Sequence, residues 1–280
     1  MSLFSYIRRG LRYIIKGIPE QKYLTADINY VYPSEKLKGK NIIITGGGRG
    51  LGYAMAKKFV AEGADVLIAG RNEQILQNSA KKLGCHYLQL DVQNIDSFAQ
   101  FFVTSEKLFG GHIDCLVNNA GISLHEKSFL DVTSTQFDSQ IATNFRGAFF
   151  LTQEYVKRYR FNKLTTGKVL FISSETSITV DERPYGLTKA AINSLVQGLA
   201  FRYIKEGIRV NALAPGVTAS DMTGFSNEGN LFYPNHASNR IYLSEEMAEI
   251  TCFLLSDVSN LLNGQILVCN EGKTINARWK

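Results

Sequence analysis

Residues Asn41 to Gly63 read NIIITGGGRGLGYAMAKKFVAEG. Three consecutive isoleucines make a short apolar run without polar alternation, the pattern of a strand covered on both faces. A glycine-rich turn follows at once, and YAMAKKFVAEG then places its apolar residues at helical spacing. Glycines let the backbone turn tightly and approach a pyrophosphate, whose charge is met by free N–H groups and the positive end of the helix dipole. Strand, turn and helix in direct succession therefore predict a dinucleotide loop. Its spacing is Gly46-x-x-x-Gly50-x-Gly52, not the G-x-G-x-x-G of other dinucleotide folds.

Six further apolar runs follow: Asp65 to Gly70 (DVLIAG), His86 to Asp91 (HYLQLD), Asp114 to Gly121 (DCLVNNAG), Lys168 to Ser174 (KVLFISS), Ile208 to Gly216 (IRVNALAPG) and Gly264 to Asn270 (GQILVCN). Helical patterns separate them, with no Pro/Gly/Ser linker and no repeat. The expected fold class is α/β, a Rossmann-type doubly wound sheet of about seven parallel strands with helices on both faces. Residues 40–280 are read as one domain behind an extension, 1–39. In such sheets ligands bind outside the carboxyl ends of the strands, so the residues ending each run are the candidates.

The chain has 280 residues, 45% hydrophobic and 20% charged, the balance of an ordinary soluble protein. Its formal charge is +6, but Met1 to Lys40 hold eight Lys/Arg against three Asp/Glu, so the body is nearly neutral. That disfavours nucleic acid, which needs a basic surface where the fold is. No apolar run approaches the ~20 residues of a membrane span, and the start lacks a signal peptide's apolar segment. Cys85, Cys115, Cys252 and Cys269 lie far apart without a C-x-x-C, and read as thiols in a reducing, cytoplasmic setting rather than as a metal site.

The extension carries its own signal. On a helical wheel Leu3, Phe4, Ile7, Leu11, Ile14, Ile15 and Ile18 fall within an arc of about 120°, with Arg8, Arg9, Arg12 and Lys16 on the flank and opposite face. A helix over residues 3–18 would dock its apolar stripe on this protein's body, on a neighbouring subunit or on a foreign partner, or lie peripherally on an anionic membrane.

At the strand ends, Gly70-Arg71-Asn72 offers no acid to a ribose 2′-hydroxyl. Arg71, with Arg49 inside the glycine loop, suits a 2′-phosphate instead. Asp91 ends the third run near where an adenine would lie, and Asn118 to Gly121 end the fourth with amides and a glycine. Ser174 ends the fifth, and Tyr185 and Lys189 open the next helix one turn apart. Tyr-x-x-x-Lys alone carries little weight: 13 Tyr and 18 Lys predict roughly one such pair by chance, and Tyr32/Lys36, Tyr53/Lys57 and Tyr159/Lys163 share the spacing. Only Tyr185/Lys189 follows a strand end.

With Thr45-Gly46-x-x-x-Gly50-x-Gly52, Asn118-Asn119-Ala120-Gly121, Asn144, Ser174, Tyr185-x-x-x-Lys189 and Pro215-Gly216 in this order, the chain resembles the short-chain dehydrogenase/reductase family from Lys40 to about Gly272. The resemblance implies hydride transfer between a nicotinamide and a small-molecule carbonyl or alcohol, with Asn144, Ser174, Tyr185 and Lys189 as the catalytic four. It implies cofactor contacts from Thr45, Gly46, Arg49, Gly50, Leu51, Gly52, Arg71, Asp91, Val92, Asn118, Ala120, Gly121, Tyr185, Lys189, Pro215, Gly216 and Thr218. It further implies a homodimer or homotetramer formed through the long helix Gln136 to Arg160, and a lid over Asp221 to Arg240 hinged at Gly224 and Gly229, with Phe225, Phe232 and Tyr233 as its cover.

The chemistry gives these residue types a reason. Reducing a ketone puts negative charge on its oxygen, which needs a proton donor and hydrogen bonds aimed at the oxyanion. Tyr185 would supply the proton, Lys189 would lower the phenol's pKa and hold the nicotinamide ribose, Ser174 would orient the substrate oxygen, and Asn144 would keep a water in the proton path. Three departures from the family pattern stand out. Ser174 and Tyr185 are eleven positions apart where about thirteen is usual, which leaves Ser173 as a substitute; Ser220 takes a usual Thr position; and NEG (Asn270 to Gly272) replaces DGG. The expected activity is an NADPH-dependent carbonyl reductase, with NADP(H) preferred and NAD(H) permitted. An NAD-dependent alcohol dehydrogenase and a cofactor-binding protein without turnover remain the alternatives.

Overall fold

A computed structural model describes residues 35–226 and 228–275. The amphipathic segment 3–18 lies outside the described residues. Seven strands form one parallel sheet in the order β3-β2-β1-β4-β5-β6-β7. They are β1 Asn41–Thr45, β2 Asp65–Gly70, β3 His86–Gln89, β4 Cys115–Asn118, β5 Gly167–Ile172, β6 Ile208–Pro215 and β7 Ile266–Cys269. The order reverses between β1 and β4, which opens a crevice at their carboxyl ends.

Alternation along β1 explains why helices cover both faces. Ile43 packs into one core with Leu67 and Leu116, covered by α3 (Phe98–Phe109), α5 (Ala148–Phe161) and α6 (Pro184–Tyr203). Ile42 and Ile44 point the other way, beneath Met55 and Phe59 of α1 (Gly50–Ala61), Leu76 of α2 (Glu73–Leu83) and Met247 of α7 (Ser244–Leu255). Both cores need apolar side chains at successive positions, which is why the strand runs lack polar alternation. Leu37, three residues ahead of the expected domain start, is itself fully buried in the second core. The four cysteines are free thiols, each with its pKa raised by burial.

Two strands stop earlier than their apolar runs suggest. The β3 ladder ends at Gln89, and β4 ends at Asn118 because the next two amides turn out of the sheet. The N–H groups of Asn119 and Ala120 both donate to Thr45 Oγ1, at 3.1 and 3.0 Å. The long helix expected from Gln136 starts at Ser134, behind a capping box between Thr133 and Gln136, and runs to Phe161. It is not uniform: α4 (Ser134–Gln140) passes into a π-helical segment, Ile141–Gly147, before α5 begins. Gly147 lies against β3's exit, where a Cβ would sit 2.4 Å from the Val92 carbonyl oxygen. The π turn sits where this close approach occurs and turns Asn144 inward. No helix among the described residues is long and apolar enough to cross a membrane.

Candidate active site

The crevice is a cleft of about 1000 Å³. Its walls include, from the expected set, Thr45, Gly46, Arg49, Gly50, Leu51, Gly52, Arg71, Asp91, Val92, Ala120, Gly121, Ser174, Tyr185, Lys189, Pro215, Gly216 and Thr218. Two expected residues do not line it. Asn144 stands behind the wall, and the Asn118 side chain is a correction: it donates to Thr152 Oγ1 of α5 at 2.9 Å, because strand alternation aims it at the helix layer. Its neighbour Asn119 reaches the cleft instead, bonding the Thr45 and Gly46 carbonyls at 2.9 and 3.2 Å.

The glycine loop fits a pyrophosphate-bearing group. Gly46 and Gly50 have φ of 66° and 52°, the left-handed region that glycine enters without strain. At Gly52 a Cβ would meet the Gly46 carbonyl oxygen at 2.1 Å, so only glycine lets helix α1 close on the loop. Across the cleft, a Cβ at Gly121 would come within 3.4 Å of Asn144 Oδ1 and 3.6 Å of Lys189 Nζ, so its absence keeps space free beside the lysine.

At the end of β2, Arg71 is exposed and forms no ion pair with a described residue. Asn72 caps α2 through Ile75 N at 3.0 Å, leaving the arginine as the charged group at this strand end. Arg49 pairs with Asp221 of the lid at 3.3 Å, both side chains being about two-thirds exposed.

Ser174 and Tyr185 line the cleft together despite the eleven-residue spacing, the serine acting on the phenol as a neighbour that lowers its pKa, and Ser174 Oγ accepts from Thr176 N at 3.3 Å. Ser173 is no substitute: its hydroxyl is taken by Asn193 Oδ1 at 2.7 Å and the Lys189 carbonyl at 3.4 Å. The shortened connection is tied down by Asp181, which accepts from Arg183 N at 3.1 Å and Arg183 Nε at 2.8 Å. Asp181 also packs on Gly186, where a Cβ would lie 2.5 Å from Oδ2. The NEG departure has a partner too: Asn270 Nδ2 and Lys273 Nζ bind the buried Glu175 carboxylate, next to Ser174, at 3.1 and 2.7 Å.

Lys189 Nζ donates to the Ile172 carbonyl at 2.7 Å and sits 5.5 Å from the Tyr185 ring centroid. Burial pushes the lysine down to about 8. Tyr185 lines the cleft and is half-buried, yet the protein packed around it raises its phenol above the ordinary value, and the Ser174 hydroxyl offsets only part of that. This reverses the expectation that Lys189 lowers the phenol's pKa. Both groups are driven toward their neutral forms because the protein around them strips away part of their hydration, and the ammonium is spent on a backbone carbonyl. Asn144 is tied to the loop after β4 and to α6: Oδ1 accepts from Ile122 N at 2.8 Å, and Nδ2 donates to Ile122 O at 2.9 Å and Thr188 Oγ1 at 3.3 Å. With both amide donors committed, the side chain fixes the wall.

The rival Tyr/Lys pairs do not meet the cleft. Tyr159 spends its hydroxyl on the Glu206 carbonyl, Tyr53 is absent from the lining, and Tyr32 is outside the described residues. The aromatic cover is likewise displaced. Gly224 (φ 71°) and Gly229 (φ 90°) turn as hinges would, but Phe225 stacks edge-on with Tyr233 at 5.8 Å, and Phe225, Phe232 and Tyr233 all lie off the cleft. Thr223 Oγ1 ties the lid's first turn to the Thr218 carbonyl at 2.7 Å, which brings Met222 and Thr223 to the mouth.

A family model described as enoyl-(acyl carrier protein) reductase matches residues 46–274. The chain belongs to the short-chain dehydrogenase/reductase family. It is 31% identical over 247 residues to the 3-oxoacyl-[acyl-carrier-protein] reductase of Aquifex aeolicus, covering 85% of this chain and 98% of that one. A tropinone reductase homolog of Arabidopsis thaliana is 30% identical over 250 residues, with 86% and 95% covered. The L-rhamnose 1-dehydrogenase (NADP(+)) of Thermoplasma acidophilum is 31% identical over 251 residues, with 85% and 98% covered. Among solved structures, levodione reductase superposes with a TM-score of 0.78 at 26% identity, over 86% of this chain and 100% of that one. The 3-ketoacyl-(acyl-carrier-protein) reductase of Brucella melitensis complexed with NADH also gives 0.78 at 26% identity, over 85% and 99%. As a short-chain dehydrogenase/reductase, the protein is an oxidoreductase of alcohol and ketone groups that uses a nicotinamide cofactor.

Proposed function

We propose that the protein reduces a small-molecule ketone to a secondary alcohol with NADPH. The observation that carries the cofactor choice is Arg71, a free guanidinium at the end of β2 with no carboxylate at that strand end. A ribose 2′-hydroxyl calls for an acceptor there, and a 2′-phosphate calls for this cation. Arg49 supports the same reading, since its exposed pair with Asp221 is weak enough to be exchanged for a phosphate. The name of the Thermoplasma relative records NADP(+) use and the Brucella structure holds NADH, so cofactor choice rests on this chain's own arginines.

The glycine loop would hold the pyrophosphate, and Lys189 and the space beside Gly121 the nicotinamide ribose. When bound, the nicotinamide supplies the hydride. The chain's residues do the rest: Tyr185 donates its phenolic proton to the carbonyl oxygen, Ser174 hydrogen-bonds that oxygen, and Lys189 stabilises the phenolate left behind. At neutral pH Tyr185 is protonated, the form that a proton donor needs.

Calorimetric titration should show NADPH binding more tightly than NADH by roughly tenfold or more, and Arg71→Ala should erase most of the gap. Equal affinities in the wild type would overturn the cofactor assignment.

We further propose a homodimer or homotetramer. Phe145, Phe149 and Phe150 cluster at the start of α5 with centroid spacings of 6.3 and 5.2 Å, and Phe149 is 38% exposed while Phe201 at the end of α6 is 89% exposed. Aromatic rings left this open on two helices of one sheet face suit a contact with a second copy of the chain. Light scattering at micromolar concentration should return a multiple of the 31.2 kDa chain mass; the single-chain value would rule the assembly out.

A further inference from the structure

We propose that the cleft is built for a neutral polyhydroxylated ketone, with Glu126 as the residue that selects it. This rests on the reductase reading above and goes on to name its substrate class. Glu126 sits in the loop after β4 and is 6% exposed, yet it lines the cleft. The loop reverses at His125, whose φ of 53° is left-handed, and the His125 ring holds the Met222 carbonyl of the lid at 2.8 Å. That turn carries the carboxylate inward. Gln140 Nε2 donates to Glu126 Oε1, and Oε2 receives no hydrogen bond from any described residue.

A carboxylate oxygen that opens on the cleft is hydrated until a ligand displaces its water, and the ligand must then return a hydrogen bond or bear the loss. A plain alkyl or acyl chain would exclude water from Glu126 while returning no hydrogen bond. A substrate hydroxyl donates to the carboxylate and returns that bond. A cation would also pair with Glu126, but the Arg183 guanidinium lines the same cleft, close enough to Glu126 to feel its charge. Arg183 is held by Asp181 at 2.8 Å, so it stays in place and disfavours a second positive group. Neutral hydroxyls fit this wall better than an ammonium or an apolar chain.

The test compares two four-carbon ketones, erythrulose and its deoxy parent butanone, with NADPH and the full chain. The ratio of their kcat/KM values is measured for the wild type, Glu126→Gln and Glu126→Ala. Activation of the carbonyl by neighbouring hydroxyls is the same for every variant, so the change in the ratio isolates Glu126. The wild-type ratio should exceed that of either variant by about ten- to a hundred-fold, the loss expected for a hydrogen bond to a charged group. The isosteric Gln variant, checked for an unchanged melting temperature, guards against a folding artefact from Ala. A ratio that does not change in the variants would overturn the proposal. So would dimethylaminobutanone outcompeting erythrulose in a Glu126-dependent manner, which would make the ligand a cation. If the wild type consumes neither ketone, calorimetric binding to the NADP⁺-saturated protein decides Glu126 apart from the reductase reading. Threitol binding more tightly than butanol in the wild type but not in Glu126→Gln upholds the subsite, and equal binding overturns it.

Discussion

Replacing Tyr185 by Phe should reduce turnover by roughly 10²–10⁴-fold while leaving NADPH affinity unchanged. The substitution deletes one oxygen and keeps the ring, so the wall of the cleft and the packing beside Lys189 persist. What disappears is the acid. Ser174 is the other hydroxyl at this point, but an alkyl alcohol is far too weak an acid to protonate a forming alkoxide. Turnover by Tyr185→Phe within a few-fold of wild type on the best ketone found would assign the proton to another group. A fluorescence titration with NADPH, run in parallel, separates that outcome from a collapsed site.

The features legible in the sequence are those set by short-range physics. Short apolar runs located all seven strands, and the glycine spacing located the loop, because steric demand at Gly46, Gly50 and Gly52 is local. Position along the fold picked Tyr185/Lys189 from four equally spaced pairs. The misreadings come from contacts between distant segments. Asn118 and Asn119 are adjacent in sequence, and only strand alternation against α5 decides which one faces the cleft. The π turn at Asn144 accompanies the close approach of Gly147 to Val92, two segments that no helical periodicity relates. The lid aromatics looked like a cover, but Thr223 and Gly224 fold the first turn so that Met222 takes that place. Glu126, Asp181 and Arg183 lie in irregular loops where no period singles out a residue. The reversed pKa direction of Tyr185 depends on how densely the protein packs around it, a quantity invisible before folding.

Lys189→Met should part activity from stability. Turnover should fall on the order of 10²-fold or more, since the phenolate formed as Tyr185 gives up its proton loses the neighbouring positive charge. The fold should not suffer. In the native protein Lys189 has a pKa of about 8 against an ordinary 10.5, so below pH 8 the folded chain carries a desolvated ammonium that the unfolded chain keeps hydrated. That penalty is about 3 kcal/mol by the usual conversion of pKa shift to free energy, set against about 1 kcal/mol for the hydrogen bond to the Ile172 carbonyl that methionine gives up. At pH 7 the variant should therefore melt at or above the wild-type temperature. Between pH 8 and 10.5 the unfolded wild-type chain binds more protons at this residue than the folded one, so its stability gains from rising pH and the variant's does not. Lys168, also held at about 8 by burial, contributes the same slope to both proteins and cancels in the difference. Ketone reduction by the wild type should decline as Lys189 deprotonates, approaching roughly tenfold per pH unit above about 8. Melting curves and kcat/KM recorded across this range decide the matter: a variant several degrees less stable at pH 7, or a wild-type rate that is flat through pH 9, would show that the lysine is not a desolvated cation serving Tyr185.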